Sequence, residues 1–231
     1  MYGRYARAVP NRASDLVWEE PEPTPSGGGL TRARIVATAL ALADDEGLDA
    51  VSIRRVAAAL SARPMSLYTH IASKDDLVAL MLDAVSGELL VEEPLPDDWR
   101  AALSAIARRS HAVYVAHPWM LQTFGRAARV GPNLLRRAEQ SAAAVASLGA
   151  EPADAWTALT IVHEWTMGHA LHTLTLRADR QLEERLQEAD AASFPRMAQV
   201  FPPGQRRERE ETFERALAAV LDGIEQRFLA R

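Results

Sequence analysis

The chain has 231 residues, 48% of them hydrophobic, enough to bury one large core or two small ones. It has no cysteine, which removes disulfides and thiolate zinc sites and fits a reducing cytoplasm. No apolar run approaches a membrane span and residues 1–29 lack the centre of a signal peptide, so a cytoplasmic protein without membrane contact is expected. The formal net charge is −5, so nucleic-acid binding has to be argued from a local basic patch.

Residues 1–29 hold Pro10, Pro21, Pro23, Pro25 and Gly27-Gly28-Gly29, a composition that favours an extended, mobile arm. Arg4, Arg7 and Arg12 make its tip basic and Glu19, Glu20 and Glu22 make its base acidic. It is either a leader or an arm that reaches a minor groove. A first helix starts with Thr31 as N-cap, buries Ile35, Ala39, Leu42 and Ala43, and ends at Gly47, with Leu48 placed for the contact that accompanies a glycine C-cap. Its first turn, with Thr31 and Arg32, can offer N–H groups and a cation to a phosphate.

Residues 52–77 carry the strongest signal. Between Ser52 and Lys74 there are four cations, Arg54, Arg55, Arg63 and Lys74, and no acid. Lys74 is the only lysine in the chain. Ser52 caps a short helix, with Val51 and Val56 as a staple and Val56, Ala59 and Leu60 as its apolar stripe. Ser61-Ala62-Arg63 breaks that stripe, and Pro64 suits the first position of the next helix. In that helix Leu67 and Ile71 face inward and Met65, Ser66, Tyr68, Thr69 and His70 point elsewhere. Ser73 caps a further helix with Asp75 and Asp76 in its first turn. Two short helices around a tight turn make a helix-turn-helix, whose second helix enters the DNA major groove.

Leu67-Tyr68-Thr69-His70 and Lys74-Asp75-Asp76-Leu77, following Ile53-Arg54-Arg55-Val56-Ala57-Ala58-Ala59-Leu60, resemble the DNA-binding domain of the tetracycline-repressor (TetR) family. The resemblance covers residues 30–90, and Ser61 departs from it where such proteins usually have glycine. It implies that Arg54 reaches a base edge, where a guanidinium pairs with guanine O6 and N7. It also implies base or phosphate contacts from Tyr68, Thr69 and His70, and a phosphate contact from Lys74. Arg55, rotated by about 100° from Arg54, is a phosphate contact or a plain surface charge. Arg63 and Pro64 lead into the recognition helix, Met65 suits a thymine methyl, and Ser66 a base or phosphate.

Past the head only helical patterns occur. The fourth helix runs through Leu77, Leu80, Met81, Val85 and Leu89 and stops at the proline-rich break from Glu92 to Pro96. Asp97 to Ala116 is amphipathic, with Leu103, Ile106, Ala107, Ser110 and Tyr114 along one side. His117-Pro118 breaks it, and Trp119, Met120, Leu121 and Phe124 are expected to open a short helix. Leu134, Leu135, Ala138, Ala142, Val145 and Leu148 mark another helix that ends at Gly149. A long one spans Ala153 to Arg177, Phe194 to Gly204 reads as a loop, and the last helix runs from Arg206 to Leu229.

The expected fold is all-α: an arm (1–29), a three-helix helix-turn-helix DNA-binding domain (30–76) and a larger helical ligand-binding and dimerisation domain (77–231). Phe213, Leu217, Val220, Ile224 and Phe228 on the last helix, with Gly168 on the long one, are the candidate dimer interface. One recognition helix covers few base pairs, so a two-fold homodimer is expected on a palindromic operator. Trp165, Gly168, His169 and His172 share a face at i, i+3, i+4 and i+7, and polar groups there need partners. With Glu164, His111, Tyr114, Trp119, Met120, Phe124 and Trp156 they are candidates to line a small-molecule site. Trp165-Thr166-Met167-Gly168 is similar to the inducer-binding helix of the family's tetracycline-binding members. Glu164 and His172 replace the histidine and glutamate of that pattern, so metal–drug recognition does not transfer.

His163-Glu164 opens like a zinc-hydrolase helix, but the next histidine, His169, is six positions on and faces away. No phosphate loop or nucleophile elbow is present, so no catalysis, cofactor or resident metal is expected. The function so read is a ligand-responsive transcriptional repressor that a small-molecule effector releases from DNA. The alternatives are a helical protein–protein adaptor that kept a vestigial head, and a histidine-ligated metal enzyme.

Overall fold

The computed structural model describes Trp18 and residues 29–123, 129–178, 193–200 and 209–228. The expected N-terminal arm falls outside these residues apart from Trp18 and Gly29. The described residues form helices and turns with no strand. The helices are α1 (Arg32–Glu46), α2 (Ile53–Ala59), α3 (Pro64–Leu67), α4 (Lys74–Glu88), α5 (Trp99–Ala116), α6 (Pro132–Ala146), α7 (Pro152–Ala178), α8 (Pro195–Val200) and α9 (Arg209–Phe228). Packing divides the chain into two units, one of residues 1–84 and 125–134, the other of residues 85–124 and 135–231. The first therefore takes in the start of α4 past Asp76, where the sequence pattern placed the end of the head.

In the first unit each helix boundary has a chemical cause. Thr31 Oγ1 accepts from the Arg34 N–H at 3.2 Å and starts α1. Gly47, at φ +85°, ends it and sends its own N–H to Ala43 O at 2.9 Å, over a buried Leu48. Ser52 Oγ accepts from the Arg55 N–H at 3.3 Å, and the staple pair Val51 and Val56 is fully buried. α2 buries Ile53, Val56 and Ala57; Ala59 is exposed and Leu60 half-buried, so the expected stripe is rotated toward Ile53.

The turn after α2 closes with the Ser61 N–H on Ala58 O (3.0 Å) and the Ala62 N–H on Ala57 O (2.9 Å). These are the two bonds of a Schellman C-cap, and Ser61 supplies the left-handed residue at φ +53°. Pro64 then opens α3, and Leu67 and Ile71 are sealed inside. Ser73 Oγ accepts the Asp76 N–H at 3.1 Å and donates to Asp76 Oδ2 at 2.8 Å, which fixes the start of α4.

The same unit holds the segment before α6. The buried Asp83 carboxylate accepts from the N–H groups of Asn133 (2.9 Å) and Leu134 (3.3 Å) through Oδ1, and from Asn133 Nδ2 at 3.2 Å through Oδ2. A negative charge thus caps the first turn of α6. Arg129 bonds the buried carboxylate of Asp76.

The second unit is built on α5, α6, α7 and α9. Asp98 caps α5 by accepting the Ala101 N–H at 2.8 Å. Leu103, Ile106, Ala144, Val145, Leu148, Val162, Phe213, Leu217, Leu221 and Ile224 share one core. Outside it Arg108 reaches Glu214 at 2.6 Å, and Arg100 bonds Asp222 and Glu225, tying α5 to α9. Three expectations are corrected here. Pro118–Thr123 is a 3-10 turn, Pro195–Val200 is a helix inside the expected loop, and the expected α6 stripe faces inward only in part, at Leu134, Val145 and Leu148. Leu135, Ala138 and Ala142 are exposed while Arg137 and Gln140 are buried. Gln140 earns its place by pairing with a backbone: its Oε1 accepts the Val91 N–H at 3.0 Å and its Nε2 donates to Val91 O at 2.9 Å.

Candidate nucleic-acid interface and effector site

In the first unit, α2, α3 with the residues flanking it, and the start of α4 present Arg54, Arg63, Pro64, Met65, Ser66, Tyr68, Thr69 and Lys74 to solvent. Met65 is 74% exposed and Tyr68 47%, large apolar surface that packing alone would have hidden. Leu67 at the end of α3 and Ile71 after the turn that follows it are held in the core, so the exposed set is aimed rather than loose. Thr69 Oγ1 donates to Ser66 O at 2.7 Å.

Three sequence candidates behave differently. His70 is buried, with its Nδ1 unbonded and its carbonyl accepting from Arg32 Nε at 3.2 Å. It packs inside the head, which corrects its expected contact with bases or phosphates. Arg32 is drawn into the same bond and lies half-buried. Arg55 pairs with Glu46; their hydrogen bond raises the arginine's pKa and lowers the carboxyl's. Both side chains are exposed, so this pair adds little stability.

The second unit gathers two polar groups of residues. In one, His111 Nε2 lies 3.2 Å from His169 Nδ1 and 3.3 Å from Thr173 Oγ1. Trp165 and Phe213 stack beside them, with ring centres 5.2 Å apart. Burial lowers the His169 pKa, with His172 adding to the effect. In the other, Tyr114 is buried with its hydroxyl 3.5 Å from His163 Nδ1, and burial pushes its pKa up to about 12. The neighbouring Arg137 donates to Ser141 Oγ at 2.6 Å and Ser110 Oγ at 2.9 Å.

Of the expected effector residues, His111, Tyr114, Trp165 and His169 take part in these two groups. Trp119 and Met120 are buried in the 3-10 turn, and Phe124 lies outside the described residues. Trp156 (72% exposed), Glu164 and His172 sit on the outer side of α7 with Gly168, which corrects their assignment to an internal cavity. Phe213, Leu217 and Ile224 are corrected in the opposite sense: they are core of their own subunit, whereas Val220 and Phe228 are half-buried. Arg137, Ser110, Ser141, His163 and Thr173 were not singled out as site residues. Arg137 stands in an Arg-Arg pair that reads as a solvated surface, and only its i+4 serine hints otherwise. A cleft of about 660 Å³ lined by Leu90, Val91, Leu95, Arg136 and Ala143 contains none of the expected effector residues.

A helix-turn-helix head joined to a larger helical unit defines the class, a one-component transcriptional regulator. The family models agree. Residues 35–81 match "Bacterial regulatory proteins, tetR family" and residues 93–228 match "Tetracyclin repressor-like, C-terminal domain". The chain is 33% identical over 205 residues to the HTH-type transcriptional repressor DrrR1 of Streptomyces coeruleorubidus, covering 84% of this chain and 73% of that one. Among solved structures, apo ActR from Streptomyces coelicolor is 30% identical with a TM-score of 0.70, covering 86% of this chain and 96% of its own. ActR in complex with actinorhodin gives 28% and 0.71, with 87% and 97% covered. The chain belongs to the TetR family and is a ligand-responsive DNA-binding transcriptional regulator. No described helix is long and apolar enough to cross a membrane.

Proposed function

We propose that the chain is a non-catalytic cytoplasmic repressor that binds a palindromic operator as a two-fold homodimer and leaves it when a small molecule occupies the second unit. The observation that carries this is the outward set from α2 to the start of α4: cations without a single acid from Ser52 to Lys74, beside an exposed Met65 and Tyr68. Arg54 is suited to guanine, Met65 to a thymine methyl, and Ser66, Thr69, Tyr68 and Lys74 to phosphates and bases. For the dimer, the outer side of α7 offers exposed Trp156, Ile161 and Leu171 around Gly168, an apolar strip that a second copy can cover. The effector belongs with the polar and aromatic groups of α5 and α7, as the actinorhodin complex of ActR suggests by kinship.

A gel shift with the chain's own upstream DNA tests the operator. Arg54→Ala combined with Tyr68→Ala should abolish a salt-sensitive complex, and unchanged affinity in that double variant would reject the reading. For the effector, Trp165→Ala and His169→Ala should alter induction while operator binding persists.

A further inference from the structure

Arg137 is a buried cation without an acid beside it. It is 8% exposed, its two bonded nitrogens end on the neutral hydroxyls of Ser110 and Ser141, and among the described residues no Asp or Glu pairs with it. Two groups near it, Tyr114 and His163, are neutral as well. Burial raises the Tyr114 pKa; at His163, whose residue is exposed while its ring is partly covered, desolvation and Arg137 lower the pKa against a smaller opposing effect of Glu164, so near neutral pH both remain uncharged. Burial also lowers the pKa of Arg137, the sign of a charge held where water solvates it poorly. Two bonds to serine hydroxyls need no charge, since a glutamine amide could donate one or both at far lower desolvation cost. The cation is surplus to the packing of α6 on α5, and a guanidinium kept in such a place is a preformed half of an ion pair.

We propose that Arg137 anchors a carboxylate on the effector, so that the molecules this repressor senses are small aromatic acids whose anion completes the pair. The guanidinium fork can donate two parallel N–H bonds to a carboxylate, and Arg137 stands near enough to Tyr114 and His163 for its charge to act on both. The rings of Tyr114 and His163 stand edge to face, 6.3 Å apart at 78°, and supply aromatic surface for the ring of such an acid. Natural selection among ligands then follows from chemistry: the amide or ester of the same acid leaves the buried charge unpaired and binds weakly. This inference rests on the reading of the second unit as the effector unit.

The test uses the full-length protein and calorimetric titration at about pH 7.5 with matched pairs: benzoate, salicylate, 1-naphthoate, 2-naphthoate and anthracene-2-carboxylate, each against its primary amide. At least one acid should bind about tenfold or more tightly than its amide. Arg137→Met should erase that preference, Arg137→Lys should keep part of it, and Arg137→Met should unfold at or above the wild-type midpoint because it removes an unpaired buried charge. Arg137→Gln, which keeps a donor for the serines, repeats the comparison if the methionine variant does not fold. No acid preferred over its amide, or a preference that survives Arg137→Met or Arg137→Gln, overturns the proposal. A gel shift of the unliganded wild type on the same preparation is a separate arm: failure there rejects the regulator reading, while the acid-over-amide comparison stands or falls by itself.

Discussion

Ser61→Gly should stabilise the DNA-binding head. Ser61 holds φ at +53° so that its own N–H and that of Ala62 can cap α2, and a residue with a Cβ pays about 1–2 kcal/mol for that conformation. Its side chain is exposed and makes no bond that glycine would forfeit. Glycine removes the strain but enlarges the unfolded ensemble, which offsets about 0.5–1 kcal/mol. The net gain is about 0.5–1 kcal/mol, a rise of about 1–4 °C in the unfolding midpoint of a chain this size. Ser61→Val moves the other way, since a β-branched side chain tolerates the left-handed region worst; a loss of about 1 kcal/mol or more is expected. Urea denaturation monitored by circular dichroism reads both. A destabilised glycine variant, or a valine variant as stable as the parent, would refute the assignment of strain to this turn.

Asp83→Ala should cost about 2–3 kcal/mol in urea denaturation, because three donors at the start of α6 lose a buried acceptor; a change under about 0.5 kcal/mol would contradict the capping role. Gly131→Ala should be nearly as harmful, since its Cβ would fall 2.2 Å from Asp83 Oδ1 and 2.9 Å from Asp83 Cβ, and the carboxylate cannot swing away without leaving those donors. Lys74→Ala should weaken binding to all DNA sequences alike and reduce the salt slope by about one unit, so a loss confined to one operator base would show that it reads sequence. Acidification should weaken the fold through His163 and His169: their folded pKa values lie below the ordinary 6.5, the unfolded chain therefore takes up more protons, and stability present above that value is lost as pH falls through it. His163→Gln and His169→Gln should flatten the decline in midpoint between about pH 7.5 and 5.5, and an unaltered slope in both would assign it to other groups.

The head was legible because its rules are local. Thr31, Ser52 and Ser73 as caps, Gly47 as a stop and Pro64 as a start each act within four residues, and α1 to α4 begin where they dictate, although α3 ends at Leu67, short of the expected Ile71. His70 was not legible: whether a side chain one position before Ile71 is turned in depends on how α1 closes over it, and the bond from Arg32 to its carbonyl spans 38 positions. The same holds for the last helix. Phe213, Leu217 and Ile224 form a continuous stripe whether a helix packs on its own subunit or on a partner, and periodicity cannot distinguish the two.

The deepest departure lies in α6, where the apolar pattern is right for Leu134, Val145 and Leu148 but wrong for Leu135, Ala138 and Ala142. Binary patterning assumes that burial is for apolar side chains, and it holds wherever a helix has only packing to do. In α6 the inward positions also carry Gln140, which pairs with the Val91 backbone, and Arg137, which sits among hydroxyls with its charge unpaired. Leu135, Ala138 and Ala142 are left outside as the consequence. A site that must recognise something polar has to break the packing rule at the residues that do the recognising. The misread part of the α6 stripe and the candidate anchor thus share one cause, and replacing Arg137 by methionine should bring the helix back to the ordinary rule in stability while removing the preference for an acid.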